Sequence, residues 1–534
     1  MKTLLSTAAV LALSVGFAGS AWADYHLTIL HTNDVHSRIE PINKYDSTCG
    51  EEDLAADACF GGVARIVQAI ADETAKFDNV LVLDAGDQFQ GSLFYTYYHG
   101  KAAAEFMKDA GYEAMAVGNH EFDNGPETLV AFVKELPFPV LMANADTSRE
   151  AELQDLVKPS AVIDKAGEKI GIIGLTPQDN ADLTSAGKTI DFSDPIPAVQ
   201  AEVERLTGQG IDKIILLSHS GYEVDKRIAA AVDGIDIIVG GHSHTLLSNT
   251  DDSAAGPYPT LVKSPDGTEV PIVQAYSYGK FLGEIEVTFD DDGKVTEAKG
   301  DPILLDASHP EDEAVKARVA ELAKPLEEIR QKVVGNTAEA IDGSREVCRA
   351  AECAMGDLVT DAMLDHVKDQ GTQIAITNGG GLRASIDAGE VTMGEVLTVL
   401  PFQNTLSTFQ LKGADVVAAL ENGVSQVEEG AGRFPQVAGL KFTWSKSGTA
   451  GENRVQDVQV EEDGAWTPID PDKTYLVVSN NFMRAGGDGY SVFAEKGENA
   501  YDYGPDLADV VTEYIASTNE PYQPKTDGRI TEAE

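Results

Sequence analysis

Five short polar segments of the sequence carry residues that can bind a metal ion or move a proton. Each follows an apolar run, directly or after two or three residues, and they read Asp34-Val35-His36, Gly86-Asp87, Gly118-Asn119-His120, Ser218-His219-Ser220 and Gly240-Gly241-His242-Ser243-His244. Five of the ten histidines of the chain lie in these segments. Carboxylate, amide oxygen and imidazole together suit zinc, manganese or iron, whereas calcium takes oxygen ligands. The first hypothesis is therefore a metal centre.

The spacing within two of the segments supports this hypothesis. In an extended segment, residues i and i+2 point to the same side, so Asp34 with His36, and His242 with His244, can each direct two donors at one place. Each segment alone has a simpler interpretation as a surface turn or a solvated loop. Their shared position after apolar runs favours metal binding.

The apolar runs that precede these segments alternate with helical patterns. They cover residues 27–30, 80–83, 114–117, 140–142, 170–175, 214–217 and 235–239, with later strands at 271–275 and 281–289. Continuous apolar strands separated by helices predict a sheet buried on both faces, and hence an α/β domain at residues 24–308. Ligands bind outside the carboxyl ends of the strands in such sheets, so the five segments are expected to meet at one site.

A different pattern follows the predicted α/β domain. Five apolar residues recur at helical spacing on a highly charged background: Val315, Val319, Leu322, Leu326 and Ile329. This pattern predicts a long, exposed linker helix within residues 309–335 that joins two domains. Residues 336–534 return to mixed α/β patterning, with helices near 354–367 and 414–422 and strands at 373–376, 406–411, 440–444 and 474–479.

The charge of the chain excludes some partners. It has 40 basic and 88 acidic residues and a formal net charge of −48. Such a charge opposes binding to nucleic-acid polymers and to anionic lipid. Clustered arginines therefore become informative, because an acidic protein that holds an anion needs local positive charge.

The first 23 residues resemble a secretory signal. Lys2 precedes an apolar stretch from residue 4 to residue 17, and Ala21-Trp22-Ala23 forms an A-x-A cleavage site. No later apolar run of about 20 residues predicts a membrane anchor. We expect a periplasmic or secreted protein that begins at Asp24, and a monomer rather than a dimer.

The four cysteines fall into two close pairs, Cys49 with Cys59 and Cys348 with Cys353. In an exported protein this spacing favours two local disulfides. The alternative is one zinc ion held by four thiolates, although neither pair has the C-x2-C to C-x4-C spacing of a zinc knuckle together with a matching partner pair.

The order D-x-H, G-D, G-N-H-E, H and G-H-x-H resembles that of the calcineurin-like metallophosphoesterases. Within them, GNHEFDNG at 118–125 and GGVAR at 61–65 resemble the 5′-nucleotidase family, and the resemblance extends over nearly the whole chain after the leader. It implies a four-layer α/β/β/α catalytic domain and a separate mixed α/β substrate-binding domain. Some nucleotidases of the family carry an amide residue where this chain has His244, and the wider superfamily carries histidine.

The resemblance also implies roles for the polar segments. One divalent metal ion would be bound by Asp34, His36, Asp87 and His244, and a second by Asp87, Asn119, His219 and His242. Zinc is the expected metal, with manganese, cobalt or iron as alternatives. Two such cations lower the pKa of a shared water and clamp phosphoryl oxygens during in-line displacement. His120 would then stabilise the transition state or protonate the leaving oxygen, and Asp123 would orient it.

The second domain carries residues that suit an anionic ligand with an aromatic base. Taken singly, each has a simpler interpretation as a surface charge, a turn or a core residue. The resemblance implies that Phe402 and Phe482 sandwich the base and that Asp488 holds ribose hydroxyls. The remaining implied contacts to substrate are Arg345, Arg349, Arg383, Asn378 and Asn404.

These expectations define a secreted dimetal phosphohydrolase that converts nucleoside 5′-monophosphates to nucleoside and phosphate, with nucleoside di- and triphosphates and UDP-sugars as further substrates. A 2′,3′-cyclic nucleotide phosphodiesterase with 3′-nucleotidase activity, or a thiosulfohydrolase, is the alternative on the same scaffold. A non-catalytic nucleotide-binding protein is the alternative of another class. The full ligand set together with His120 and Asp123 argues against the last, since capture of a nucleotide requires none of them.

Overall fold

The computed structural model describes residues 24–533 except positions 45, 47, 179, 185, 401, 403, 463, 503 and 519. The predicted leader, residues 1–23, lies outside the described residues. Among the described helices, none combines the length and the apolar composition that a membrane span requires.

Two β-sheets build the N-terminal domain. The first contains Tyr25–Thr32, Val80–Asp84, Ala114–Ala116, Val140–Leu141, Val157–Lys158, Phe281–Phe289, Val295–Gly300 and Ile303–Leu304. The second contains Ser160–Lys165, Glu168–Leu175, Lys213–Ser218, Ile237–Gly240, Thr260–Lys263 and Glu269–Val273. The strands that end at the five polar segments run parallel to one another within each sheet, so their carboxyl ends share an edge.

The side chains of the buried strands point alternately to the two faces of each sheet, which creates four layers. Leu81 and Leu83 point toward the second sheet and pack with Ile215 and Leu217, while Val82 points the other way, toward helices. The helices outside the first sheet are Val63–Thr74, Lys101–Ala110 and Pro126–Val133, and those outside the second are Pro195–Gly208 and Tyr222–Ala229. The α/β/β/α arrangement that the family resemblance implied is therefore confirmed.

The sequence pattern suggested an exposed linker helix, but the helix between the two domains is buried along one face. It runs from Glu313 to Arg330, and Asp312 caps it by accepting hydrogen bonds from two backbone N–H groups of the first turn. Its apolar face, with Leu326 fully buried, packs into the core of the N-terminal domain. Ile329 contacts the cores of both domains. The helical part of the predicted linker therefore packs as part of the first domain.

The C-terminal domain is a mixed α/β unit, as predicted. Its central sheet contains Ile374–Asn378, Leu406–Lys412, Pro435–Ala438, Thr474–Asn480 and Glu498–Tyr501, and a second sheet contains Leu440–Trp444, Val455–Glu462, Ala465–Pro468 and Ile530–Glu532. A two-stranded sheet joins Val333–Thr337 to Gly389–Thr392. The main helices are Ala354–His366, Met393–Val399, Gly413–Gly423 and Leu507–Ser517. Apolar clusters fill both faces of the central sheet.

Both predicted disulfides are present. Cys49 is bonded to Cys59, and Cys348 is bonded to Cys353. The alternative of a zinc ion held by four thiolates is therefore wrong. The second disulfide closes the turn between the short helix Arg345–Cys348 and the helix Ala354–His366.

Candidate active site

The five polar segments meet at the carboxyl edge of the two facing sheets. Hydrogen bonds join them: the backbone N–H of Asp34 donates to the carbonyl of Gly86 at 2.9 Å, and that of His242 donates to both carboxylate oxygens of Asp34 at 3.0 Å. Strands from both sheets therefore contribute to one polar cluster.

The local backbone differs from the extended segments that the sequence analysis assumed. Asp34, His36, Asp87, His242 and His244 all have positive φ values, between 49° and 72°. Non-glycine residues rarely adopt this left-handed conformation, and it concentrates at functional sites where surrounding contacts enforce it. The i and i+2 side chains do converge, but tight turns rather than an extended chain bring them together.

One group of ligand atoms consists of Asp34, His36 and His244, with ligand atoms within 4.8 Å of one another. The Nε2 atoms of His36 and His244 are 3.0 Å apart, and Oδ1 of Asp34 lies 3.4 Å from Nε2 of His244. Nδ1 of His36 donates to the carbonyl of Phe89 at 3.0 Å, which leaves its Nε2 with a lone pair toward this group.

A second group consists of Asp87, His219 and His242, again with ligand atoms within 4.8 Å of one another. Oδ1 of Asn119 lies 2.8 Å from Nδ1 of His242, so Asn119 joins the group. Oδ2 of Asp87 is 2.9 Å from Nε2 of His219 and 3.8 Å from Nε2 of His36. Asp87 therefore lies between the two groups, where the bridging ligand was predicted.

The residues fit divalent cations. Nδ1 of His219 donates to the carbonyl of Ala85 at 2.6 Å, so its Nε2 directs a lone pair at the Asp87 carboxylate. Among the described residues, neither this Nε2 atom nor Oδ2 of Asp87 has a hydrogen-bond partner, and both side chains are fully buried. A lone pair facing a buried carboxylate is repulsive unless positive charge lies beside both, because unpaired charge is costly in a low dielectric.

The pKa values of these side chains are consistent with the same lack of positive charge. Burial alone would lower the pKa of His219, but the carboxylates of Asp87 and Asp34 outweigh it and raise the pKa to about 10. Burial lowers the pKa of His36 and of His242 to about 3. The buried carboxylates therefore draw a positive charge to whichever neighbour can carry it.

Glu121 holds the loops that carry the ligands. Its Oε2 accepts hydrogen bonds from the N–H groups of Asp87 at 3.0 Å and Gly118 at 2.7 Å, and its Oε1 accepts from Gln88 at 2.8 Å and Phe89 at 3.2 Å. The side chain is fully buried. Glu121 is therefore a structural residue that binds backbone amides.

Gly118 is needed where these loops approach each other. A Cβ atom at this position would lie 2.2 Å from Oδ1 of Asp87 and 2.6 Å from its backbone nitrogen, distances that no side chain can occupy. Only glycine lets the third polar segment contact the Asp87 loop this closely.

His120 and Asp123 form a pair at the rim of the cluster. Nδ1 of His120 is 2.7 Å from Oδ2 of Asp123, and the His120 backbone N–H donates to Oδ1 of Asp87 at 2.9 Å. Burial would lower the pKa of His120, but the carboxylates of Asp123 and Asp87 raise it to about 9. Asp123 engages Nδ1, and Nε2 is the nitrogen on the other side of the ring. The His120 ring also lies within ligand distance of His36 and Asp87.

Two further side chains of this cavity were not identified from the sequence. The Tyr278 ring lies 5.3 Å from the His244 ring and 5.7 Å from the His36 ring, and the Arg38 guanidinium lies 4.7 Å from the centroid of the Tyr278 ring. Tyr278 follows the strand Glu269–Val273, which runs parallel to Ile237–Gly240. Its place after a further parallel strand was the signal that could have revealed it.

The C-terminal domain closes the other side of this cavity. With His36, His120, His242 and His244, its walls include Thr405, Asn481, Ala485, Asp502, Gly504 and Asp506. None of the predicted substrate-binding residues whose side chains the structure describes is among them. The structure therefore brings the predicted metal ligands together with His120. The predicted base-binding residues lie away from these metal ligands.

The predicted substrate-binding residues lie near one another at the end of the central C-terminal sheet. Nδ2 of Asn378 donates to Oδ2 of Asp488 at 2.7 Å, and Phe482, 44% exposed, covers Gly487. The guanidinium of the exposed Arg383 lies 5.3 Å from the centroid of the Phe402 ring.

Backbone hydrogen bonds connect the two halves of this group. The N–H of Asn481, next to Phe482, donates to the carbonyl of Thr405, next to Asn404, at 3.0 Å. Arg349 is nearly buried and donates to the carbonyl of Gly430 at 3.3 Å. Arg345 begins a short helix, and its side chain lies outside the described part of the structure.

Comparison with known proteins gives two family matches. Residues 27–246 match the family described as calcineurin-like phosphoesterase, and residues 333–495 match the 5′-nucleotidase C-terminal domain. The 5′-nucleotidase of Diplobatis ommata is 40% identical over 98% of this chain and 93% of its own length.

Solved structures cover the same length. The 5′-nucleotidase precursor of Thermus thermophilus is 42% identical, covers 95% of this chain and 99% of its own, and aligns with a TM-score of 0.62. The NAD nucleotidase of Haemophilus influenzae is 28% identical, covers 96% of this chain and 100% of its own, and aligns with a TM-score of 0.78.

Proposed function

The chain belongs to the 5′-nucleotidase family of calcineurin-like phosphoesterases, and on that premise we propose that it hydrolyses nucleoside 5′-monophosphates to nucleoside and phosphate. It is a metal-dependent phosphoric ester hydrolase. One observation supports the substrate proposal: the chain has two groups of metal ligands around Asp87, and its second domain presents aromatic, amide and carboxylate side chains that suit a nucleoside.

Two divalent cations fit the two ligand groups. Asp34, His36 and His244 would hold one and Asn119, His219 and His242 the other, with Asp87 shared between them. We propose zinc as the native metal, because imidazole and carboxylate ligands are typical of it. When bound, such cations supply a water of lowered pKa and neutralise charge on phosphoryl oxygens.

The chain's own residues handle the proton of the leaving group. We propose that Nε2 of His120 donates a proton to the nucleoside oxygen as the P–O bond breaks. Asp123 fixes the ring by its contact at Nδ1 and stabilises the imidazolium form. Glu121 and Gly118 keep this loop against Asp87, so the proton donor and the shared ligand move as one unit.

Substrate recognition is assigned to the C-terminal domain. We propose that Phe402 and Phe482 stack on the base, that Asp488 and Asn378 bind the ribose, and that Arg345, Arg349, Arg383 and Asn404 bind the polar and anionic parts. Because the described members of this set do not line the cavity of the metal ligands, a rotation of the C-terminal domain would carry a bound nucleotide to that cavity. The better superposition of the more distantly related solved structure supports such a rotation, since sequence divergence alone predicts the opposite order.

The setting of the enzyme is also a proposal. Two disulfides support an oxidising compartment, either the periplasm or the medium, with cleavage of the leader at residue 23. We propose a catalytic unit at 24–308, a connection at 309–335 and a substrate-binding unit at 336–534, and a monomeric enzyme.

The test is phosphate release from a panel of substrates by protein stripped of metal and reloaded with zinc, manganese or cobalt. AMP, ADP, UDP-glucose, 2′,3′-cyclic AMP and bis-p-nitrophenyl phosphate separate the activities on this scaffold. We expect AMP to have the highest kcat/KM and to release the phosphate attached at the 5′ position. Higher kcat/KM for the cyclic nucleotide or the diester would overturn the 5′-nucleotidase assignment.

A further inference from the structure

A cluster of carboxylates in the C-terminal domain lies outside the site described above. Glu352 and Asp357 flank the start of the helix Ala354–His366, and Asp527 lies in the segment that leads into the final strand, Ile530–Glu532. One oxygen atom from each of the three lies within 4.8 Å of the other two. Among the described residues, this is the one such group besides those of the dimetal cluster.

Asp357 points into this cluster without a hydrogen-bond partner. Its residue surface is 1% exposed, and neither carboxylate oxygen makes a hydrogen bond to any described residue. The nearest positive charge, Nε of Arg529, is 3.8 Å from Oδ2, beyond hydrogen-bond distance. Buried carboxylates are normally paired or bound to metal, so this side chain lacks a partner that its environment requires.

Other charged groups at the cluster do not supply this partner. Arg529 already donates to Asp361 at 2.7 and 3.0 Å and to Asp527 at 3.0 and 3.3 Å. Lys525 lies 3.3 Å from Asp527 on the exposed side. The carboxylates of Asp357, Asp361 and Asp527 therefore share one buried guanidinium, which forms hydrogen bonds with the last two but not with Asp357.

Glu352 is held where its carboxylate can bind the same cation as Asp357 and Asp527. Its Oε1 accepts from the N–H groups of Asp527 at 2.6 Å and Gly528 at 3.0 Å, and its Oε2 accepts from that of Ile530 at 3.0 Å. Each carboxylate oxygen has further acceptor capacity. Asp527 faces solvent, so water can complete a coordination shell of six to eight oxygens.

We propose that Glu352, Asp357 and Asp527 form a calcium-type cation site that is separate from the dimetal centre. An all-oxygen carboxylate set selects a hard cation, whereas the imidazoles of the active site select zinc or similar metals. The bound ion ties the chain end at 527–530 to the start of the helix Ala354–His366. That helix follows directly on the Cys348–Cys353 disulfide, next to Arg349, so the ion stabilises the scaffold beneath the proposed substrate loop.

The rival explanation is a proton shared between Asp357 and Glu352. Burial raises the pKa of Asp357 to about 8, and Arg529 opposes this only in part. A neutral Asp357 needs no metal ion. The two explanations differ in whether calcium, added alone, changes the protein.

The experiment is a calcium titration of the zinc-loaded full chain by calorimetry at pH 7.5 and about 0.15 M KCl, which screens weak binding to the acidic surface. The variants are Asp357→Asn and Asp527→Asn. Asp365→Asn is the matched control, because it makes the same charge change on the same helix at an exposed residue paired with Lys368. The melting temperature of each protein is measured with and without 10 mM calcium.

We expect the wild type and Asp365→Asn to bind one more calcium ion per chain than the two site variants, with Kd of about 10⁻⁵ to 10⁻³ M. Calcium should raise Tm of the C-terminal domain by about 3 to 8 °C in the first two proteins and by under about 1 °C in the others. If Asp357→Asn does not fold, Asp527→Asn decides the result, because Asp527 is an exposed residue at the protein surface.

Equal calcium stoichiometry in the wild type and Asp527→Asn would overturn the site. So would a wild-type Tm that is insensitive to calcium together with a raised Tm of Asp357→Asn, which is the result that the shared proton requires. Neither result depends on phosphatase activity, so failure of this proposal is distinct from failure of the proposed function.

Discussion

Replacing Glu121 with glutamine tests whether one buried carboxylate holds the metal-binding loops together. The substitution preserves size but converts one oxygen into an N–H₂ group. Whichever way the amide is oriented, two of the four backbone N–H groups that Glu121 binds face a donor instead of an acceptor. Four N–H donors around two oxygens leave no orientation of a glutamine that satisfies all of them.

The cost follows from this count. A buried donor left without an acceptor costs about 1 to 3 kcal/mol, so two cost about 2 to 6 kcal/mol. For a domain of this size, 1 kcal/mol lowers Tm by about 2 to 4 °C, and we therefore expect a fall of at least about 4 °C in the N-terminal domain. Metal content should also fall below two per chain, because the N–H groups of Asp87 and Gly118 both depend on Glu121.

The assay is differential scanning calorimetry, which separates the two domains, combined with elemental analysis of the metal content. Glu127→Gln is the control, since it makes the same change six residues along the chain at an exposed position. A Glu121→Gln protein that melts within about 1 °C of this control and still holds two metal ions would refute the reasoning.

Further predictions address the remaining parts of the argument. His120→Ala should lower kcat by about 10² to 10⁴ with metal content near two per chain, and a normal kcat would remove His120 from the reaction. Phe402→Ala should lower kcat/KM for AMP by a factor equivalent to about 1 to 3 kcal/mol and should lower kcat/KM for p-nitrophenyl phosphate much less. Equal losses for the two substrates would exclude stacking of Phe402 on the base. Removal of metal by a chelator should lower Tm of the N-terminal domain and leave that of the C-terminal domain unchanged in calcium-free buffer; a shift confined to the C-terminal domain would contradict the assignment. In the same buffer, the raised pKa of Asp357 should make the C-terminal domain less stable as pH rises from about 4 to 8, because the Asp357 carboxyl loses its proton at lower pH in the unfolded chain than in the folded one. If the Tm of Asp357→Asn has the same dependence on pH as that of the wild type, Asp357 does not titrate in this way.

The prediction of the fold from the sequence succeeded where periodicity is strong. Strands such as Lys213–Ser218 and Ile237–Gly240 contain continuous apolar runs, because both faces of each sheet are buried. Where the polar face of a helix dominated the pattern, the interpretation was less accurate. The helix Glu313–Arg330 appeared exposed from its charges, yet its apolar stripe packs into the first domain.

The sequence by itself determined which residues meet at the metal cluster. Asp34, Asp87, Asn119 and His219 each follow an apolar strand, and parallel strands bring their carboxyl ends to one edge whatever the details of the loops. Strands that alternate with helices along the chain are expected to run parallel, so this convergence can be deduced from the sequence.

Only the tertiary structure decided how the rest is arranged. The left-handed turns at Asp34 and His242, the contact of Tyr278 with the cluster, and the separation of Phe402 from it depend on packing between distant segments. The contact of Glu352 with the backbone of Asp527 joins positions 175 residues apart, and no local pattern marks it. Such contacts are set by the relative position of whole sheets and domains, which the spacing of residues along the chain does not encode.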